Sequence, residues 1–180
     1  MAVFFGLPDQ DAIDLLQTAM KSWHPDLAAH GVRVQLLFAT SDTDAPAVRH
    51  GGYPAVATIR VVPLKDRLTK GYDAEMLVAR DEWDLFGEAH KVALLDHELS
   101  HLEVCRKKVK MPKTHKGEPQ FRVALDDLGR PKLKLRKGDW NPGDGFEAVV
   151  ARHCDHADEF AALARAYAVA NRAKEKGEAA

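Results

Sequence analysis

Two of the nine histidines, His97 and His101, stand four residues apart with an acid directly after the first. The run His97-Glu98-Leu99-Ser100-His101 is an H-E-x-x-H pattern. On a helix, residues at this spacing lie one above the other, so both imidazoles can reach a single ion. Neutral imidazole suits zinc, with nitrogen roughly 2.0–2.1 Å from the metal. Glu98 is turned about 100° from His97. That is out of line for ligation but within reach of a water held on the ion. Zinc lowers the pKa of such a water towards ~7, and a carboxylate can then take its proton as the oxygen attacks a carbonyl carbon. The chemistry such a pattern would support is zinc-dependent hydrolysis, as of a peptide bond, with Glu98 expected as catalytic base and one Zn2+ expected per chain. The competing reading of the bare pattern is a helix with two surface histidines.

The elements that must position these groups are legible in outline. Residues 88–107 carry the strongest helical pattern, with Val92, Leu95, Leu99 and Leu102 on one face and His90, Leu94, His97 and His101 on the next. Residues 9–23 predict another helix, capped by Asp9 and broken by His24-Pro25. Residues 32–40, 56–62 and 75–81 read as strands. A turn-rich loop covers 41–54, and the polar stretch 65–73 reads as a turn. Residues 120–125 and 132–137 alternate around Asp127-Leu128-Gly129-Arg130, a β-hairpin signal. DWNPGDG, residues 139–145, has strong turn chemistry. Residues 146–153 and 155–174 read as two helices or one bent helix.

These residues resemble a known family. The stretch ALLDHELSHL, residues 93–102, is similar to the motif of the putative phage metallopeptidase family of zincin-like proteins. The preceding IRVVPLKDRLTKGYDAEMLVARDEWDLF looks like that family's strand–turn–strand. GRPKLKLRKGDWNPGDGFEAVVARH looks like its hairpin, metal-side loop and following helix. The resemblance covers roughly residues 12–154. It implies an α+β, zincin-like fold: a small sheet, an N-terminal helix, the H-E-x-x-H helix and C-terminal helices. Residues 1–155 would form the metallopeptidase domain and 156–180 a C-terminal helix and charged tail. The strand at 75–81 is expected to border the cleft and to take substrate as an added strand.

Catalytic zinc commonly has three protein ligands and one open position. The resemblance implies a His-Asp pair at the end of the hairpin; here that place reads Gly138-Asp139. Asp139 is therefore the third-ligand candidate, the alternative being that it caps the DWNPGDG turn. His115, in a basic loop, and Glu147, in a first helical turn, are weaker candidates. His153 and His156, three apart, could share a metal or simply flank a helix junction. Asp96 and Glu103 flank the motif; one could orient a ligand imidazole, although such helix charges are commonly solvated.

Composition limits the function classes. In 180 residues, hydrophobic residues make up 46% and charged residues 29%, with a formal net charge of −1, as in soluble globular proteins. No stretch approaches the ~18 apolar residues of a membrane span. The N-terminus, MAVFFGLPDQD, is a poor signal peptide. Two cysteines, Cys105 and Cys154, make no disulfide framework. The expected location is cytoplasmic, that of the host cell if phage-encoded, and the expected partner is a protein or peptide substrate. Basic residues crowd 106–137, among them Lys107, Lys108, Arg122, Lys132, Lys134 and Arg136. That hairpin could contact nucleic acid, as SprT-like proteases act beside DNA, an analogy of fold only. A solvated hairpin face is the plainer reading. The alternatives to a peptidase are thus a nucleic-acid-associated protein and a non-catalytic structural zinc domain.

Overall fold

A computed structural model describes residues 2–43, 45–110, 118–136 and 146–153. Strand β1 (Val3–Gly6) is followed by helix α1 (Gln10–Trp23) and the short α2 (Pro25–Ala29). Then come β2 (Val34–Ser41), the two-residue strands β3 (Arg49–His50) and β4 (Tyr53–Pro54), β5 (Ala57–Val61), α3 (Leu64–Lys70), β6 (Ala74–Ala79) and α4 (Arg80–Leu85). The second half holds α5 (Glu88–Ser100), β7 (Leu102–Val104), β8 (Arg106–Lys108), β9 (Phe121–Val123), β10 (Leu133–Leu135) and α6 (Phe146–His153).

The central sheet is four-stranded and mixed, in the order β1-β2-β6-β5. β2 and β6 run parallel, while β1 and β5 are antiparallel to their neighbours. Side chains alternate across it, as strand geometry requires. Leu36, Phe38, Met76, Val78, Ala57 and Ile59 face one way and join Leu16 of α1 and Leu94, Leu95 and Leu99 of α5 in the main core. Ala39, Ala79 and Leu77 belong to a smaller cluster with Val48. The architecture is α+β, with α1 and α5 packed together over the main core.

Asp9 caps α1 as anticipated, its carboxylate accepting from the Ala12 N–H at 2.9 Å. Several boundaries differ from the sequence reading. The stretch 65–73 is not a turn but mostly the helix α3, bounded by Pro63 and by Gly71 at φ 78. Its only buried residue is the cation Arg67, so no apolar stripe advertises it. The helix expected over 88–107 stops at Ser100. Beyond it Leu102 and Val104 are buried around a half-exposed Glu103, and the period-two pairing of β7 with β10 overrides the helical period. The hairpin closes at its tip, with Leu125 bridged to Pro131, but its arms diverge, β9 pairing with β8 and β10 with β7. β1 had no counterpart in the sequence reading. The strand expected at 75–81 is β6, and it is paired on both sides. It therefore cannot accept an added strand; the edges of this sheet are β1 and β5.

Candidate metal centre

His97 and Glu98 lie in the last turn of α5, and His101 is its C-cap residue, still helical at φ −71 and ψ −19. The helix thus lasts just long enough to stack the two imidazoles. Their Nε2 atoms are 3.4 Å apart, with ring planes at 85°. Two nitrogens bound tetrahedrally to one ion at zinc distances stand about 3.3–3.4 Å apart. The spacing is long for a hydrogen bond and fits a shared metal. A Glu98 carboxylate oxygen completes a cluster whose ligand atoms all lie within 4.8 Å of one another. Glu98 is buried while both histidines are partly exposed, so the imidazoles sit at a surface with the acid beneath them. The two imidazoles suit a divalent transition metal, and Glu98 lies within 4.8 Å of their ligand atoms.

Asp96 is not a solvated helix charge. It is fully buried and accepts from His24 Nε2 at 2.7 Å, from Arg152 at 2.8 and 2.9 Å, and from His153 Nε2 at 2.8 Å. Burial alone would raise its pKa, but the bonds from His24, Arg152 and His153 and the Arg152 charge outweigh it and hold the carboxyl at about 2. One carboxylate thereby fastens the α1–α2 junction and α6 to α5. His153 also sets its ring edge-on to Trp23 at 4.9 Å, so its role is in this fastening. Glu103 pairs with Lys134 and Arg136.

A second polar network anchors the hairpin. Arg67 donates to Val62 O, Asp126 and Pro131 O at 3.0, 2.9 and 3.2 Å. Arg130 reaches the fully buried Asp73 at 2.7 Å. Beyond the hairpin, the Arg136 N–H donates to His101 O at 2.8 Å. The chain that leaves β10 therefore departs from beside the second histidine of the motif. Asp139, His115 and His156 lie outside the described residues. Glu147 is in the first turn of α6, but its side chain is likewise outside them. Sequence reasoning missed the Asp96 fastening because His24, Arg152 and His153 are far from Asp96 along the chain; the one local signal was an acid set beside Leu94 and Leu95.

Fold and site together define an α+β domain with a candidate metal centre on one helix. The model of the family described as putative phage metallopeptidase matches residues 9–171. The chain belongs to that family. No curated protein and no solved structure matched the chain in the corresponding comparisons. Among the described residues, no helix is long and apolar enough to cross a membrane.

Proposed function

We propose that the chain is a zinc-dependent metallopeptidase in which His97 and His101 hold the ion, Glu98 is the general base and Asp139 is the third protein ligand. The observation that carries this reading is the 3.4 Å separation of the two Nε2 atoms, with a buried acid beside them. When bound, zinc supplies a Lewis acid and a water acidic enough to lose a proton near neutrality. With the ion held by His97 and His101, Glu98 would be the residue to take a proton from the attacking water and to return it to the leaving amine. A structural site has all four positions filled by protein and has no use for an acid placed there.

Reach supports Asp139. It is three residues beyond Arg136, whose backbone is bonded to His101. Three residues span at most ~11 Å, so the length of chain after Arg136 permits Asp139 to serve the cluster. It would also bring negative charge to a dication otherwise held by neutral ligands. For substrate, the edge strand β5 replaces β6 as the surface for an added strand, because β5 packs against α5 and β1 lies at the opposite edge.

Metal analysis of purified protein tests the assignment. Wild type should carry about one zinc, and His97→Ala/His101→Ala should carry none while keeping its circular dichroism. Asp139→Ala should weaken zinc binding strongly, and Asp139→His should restore it. Zinc retained after loss of both histidines would overturn the site. Unchanged affinity in Asp139→Ala, with a loss in His115→Ala or Glu147→Ala, would move the third ligand.

A further inference from the structure

The β1 side of the central sheet is only half covered. β1 pairs with β2 from Phe38 to Ser41, so residues 34–37 of β2 have no strand on that flank. The cause is local. Continued by two residues, the β1 register would set Pro8 opposite Leu36. Proline has no N–H to give, so the pairing stops and the chain turns away into α1.

Main-chain groups point to alternate sides along a strand. The Arg33 carbonyl accepts from Ala74 at the start of β6, whereas the Asp42 N–H donates to Ala2 beside β1. Even-numbered residues of β2, Val34 and Leu36 among them, therefore aim their N–H and C=O groups at the uncovered flank. There the Leu36 carbonyl accepts from the side-chain amide of its own neighbour, Gln35, at 3.0 Å.

This flank opens into a groove of about 440 Å³ between α1 and β2, a volume in the range of ligand sites. Ile13, Leu16 and Met20 line it from α1 at helical spacing, and no acid lines it. Its two charged residues are Lys21, in the last turn of α1, and Arg33, just before β2. Both are exposed, and among the described residues no acid forms an ion pair with either.

We infer that this groove binds an extended, acidic peptide segment of another protein, which adds as a short strand along Val34 and Leu36, packs apolar side chains against α1 and meets Lys21 and Arg33 with a carboxylate. An acyl chain ending in a carboxylate would use the apolar wall and the cations but leave the main-chain groups idle; an extended peptide uses all three. A second copy of this chain fits poorly, because its edge strands, VFFG and ATIRV, carry no acid. No residue of the His97–Glu98–His101 cluster lines the groove, and β5 is at the opposite edge of the sheet. The inference is therefore independent of the metal centre.

Fluorescence anisotropy of the full chain tests it, in a Glu98→Gln background so that the probe is not consumed. The probe is a labelled peptide of about ten residues, alternating valine with threonine and ending in two glutamates. It should bind with a Kd below about 1 mM. Replacing its glutamates by lysines should weaken binding at least tenfold, and Lys21→Glu/Arg33→Glu should invert that preference. Lys65→Glu/Lys107→Glu, which reverses the same charge elsewhere, should keep it. Of two probes N-methylated at alternate amides, one should lose binding and the other retain it, because alternate residues face the edge. Gln17→Trp, at an exposed position lining the groove, should block binding without lowering the melting temperature. Gln35→Ala frees the Leu36 carbonyl and should tighten binding roughly threefold. The inference is overturned if wild type does not bind the probe at about 1 mM, or if Lys21→Glu/Arg33→Glu leaves the preference for glutamate intact. It is also overturned if both N-methylated probes bind as well as the parent, or if decanoate binds the groove more tightly than the peptide.

Discussion

Asp96 and Glu98 are two buried acids, two residues apart on one helix, and they face opposite ways because two residues turn the helix about 200°. Asp96 meets His24, Arg152 and His153, which come from two other parts of the chain and satisfy both its oxygens. Glu98 meets the two imidazoles of its own helix. Burial is common to both, so burial does not distinguish structure from chemistry here. The partners do. A carboxylate saturated by a guanidinium and two imidazole donors is held in its ionised form and serves as a fastener. A carboxylate grouped with two potential metal ligands is placed to exchange protons.

The strongest way to break this contrast is to neutralise each acid in turn. Glu98→Gln should lower peptide hydrolysis by about 10²–10⁴-fold while zinc content, measured by mass spectrometry, stays at wild-type level. Asp96→Ala should instead destabilise the fold by about 3–5 kcal/mol, because the Arg152 guanidinium loses its counter-charge and His24 and His153 lose their buried acceptor. Denaturant unfolding measures it, and a loss under about 1 kcal/mol, the scale of an ordinary exposed pair, would mean that the fastening is idle. Acid sharpens the same contrast. The folded pKa of Asp96, about 2, lies below its ordinary 3.8. The stability it contributes, about 2 kcal/mol, is therefore present above pH 3.8 and is lost as pH falls from there towards 2. Asp126 is lowered in the same sense: burial opposes ionisation, but backbone bonds from Arg130 and Leu128 and the nearby Arg67 prevail. Metal-free protein should thus melt progressively earlier below about pH 4, and a melting temperature unchanged on acidification to about pH 2.5 would contradict both assignments. The smallest effect belongs to Asp9, an exposed acid with one capping bond and an exposed ion pair to Arg80. Asp9→Ala should cost about 1 kcal/mol, well short of Asp96→Ala.

The part of this molecule that could be read from the chain is the part built from neighbours. The α1 cap, the strands β2, β5 and β6, and the His97–Glu98–His101 cluster all follow from spacings of a few residues. The errors arise where distant segments overrule local pattern. Leu102 continues the apolar face of α5, which is why the helical pattern extends to residue 107. Pairing with β10 instead draws 102–104 into a strand. α3 escapes the pattern because the residue it buries is Arg67, held by Asp73 and Asp126.

The sequence by itself determined the metal motif, since a helix of 3.6 residues per turn brings His97 and His101 together without help from the rest of the chain. It also determined the alternation that gives the sheet its two faces. Only the tertiary structure decided that β6 is interior and β5 is an edge, that Asp96 is a fastener, and that Arg136 is bonded beside His101. These outcomes depend on which strands pair and which acids meet which cations across tens of residues, and side-chain periodicity carries no information about either.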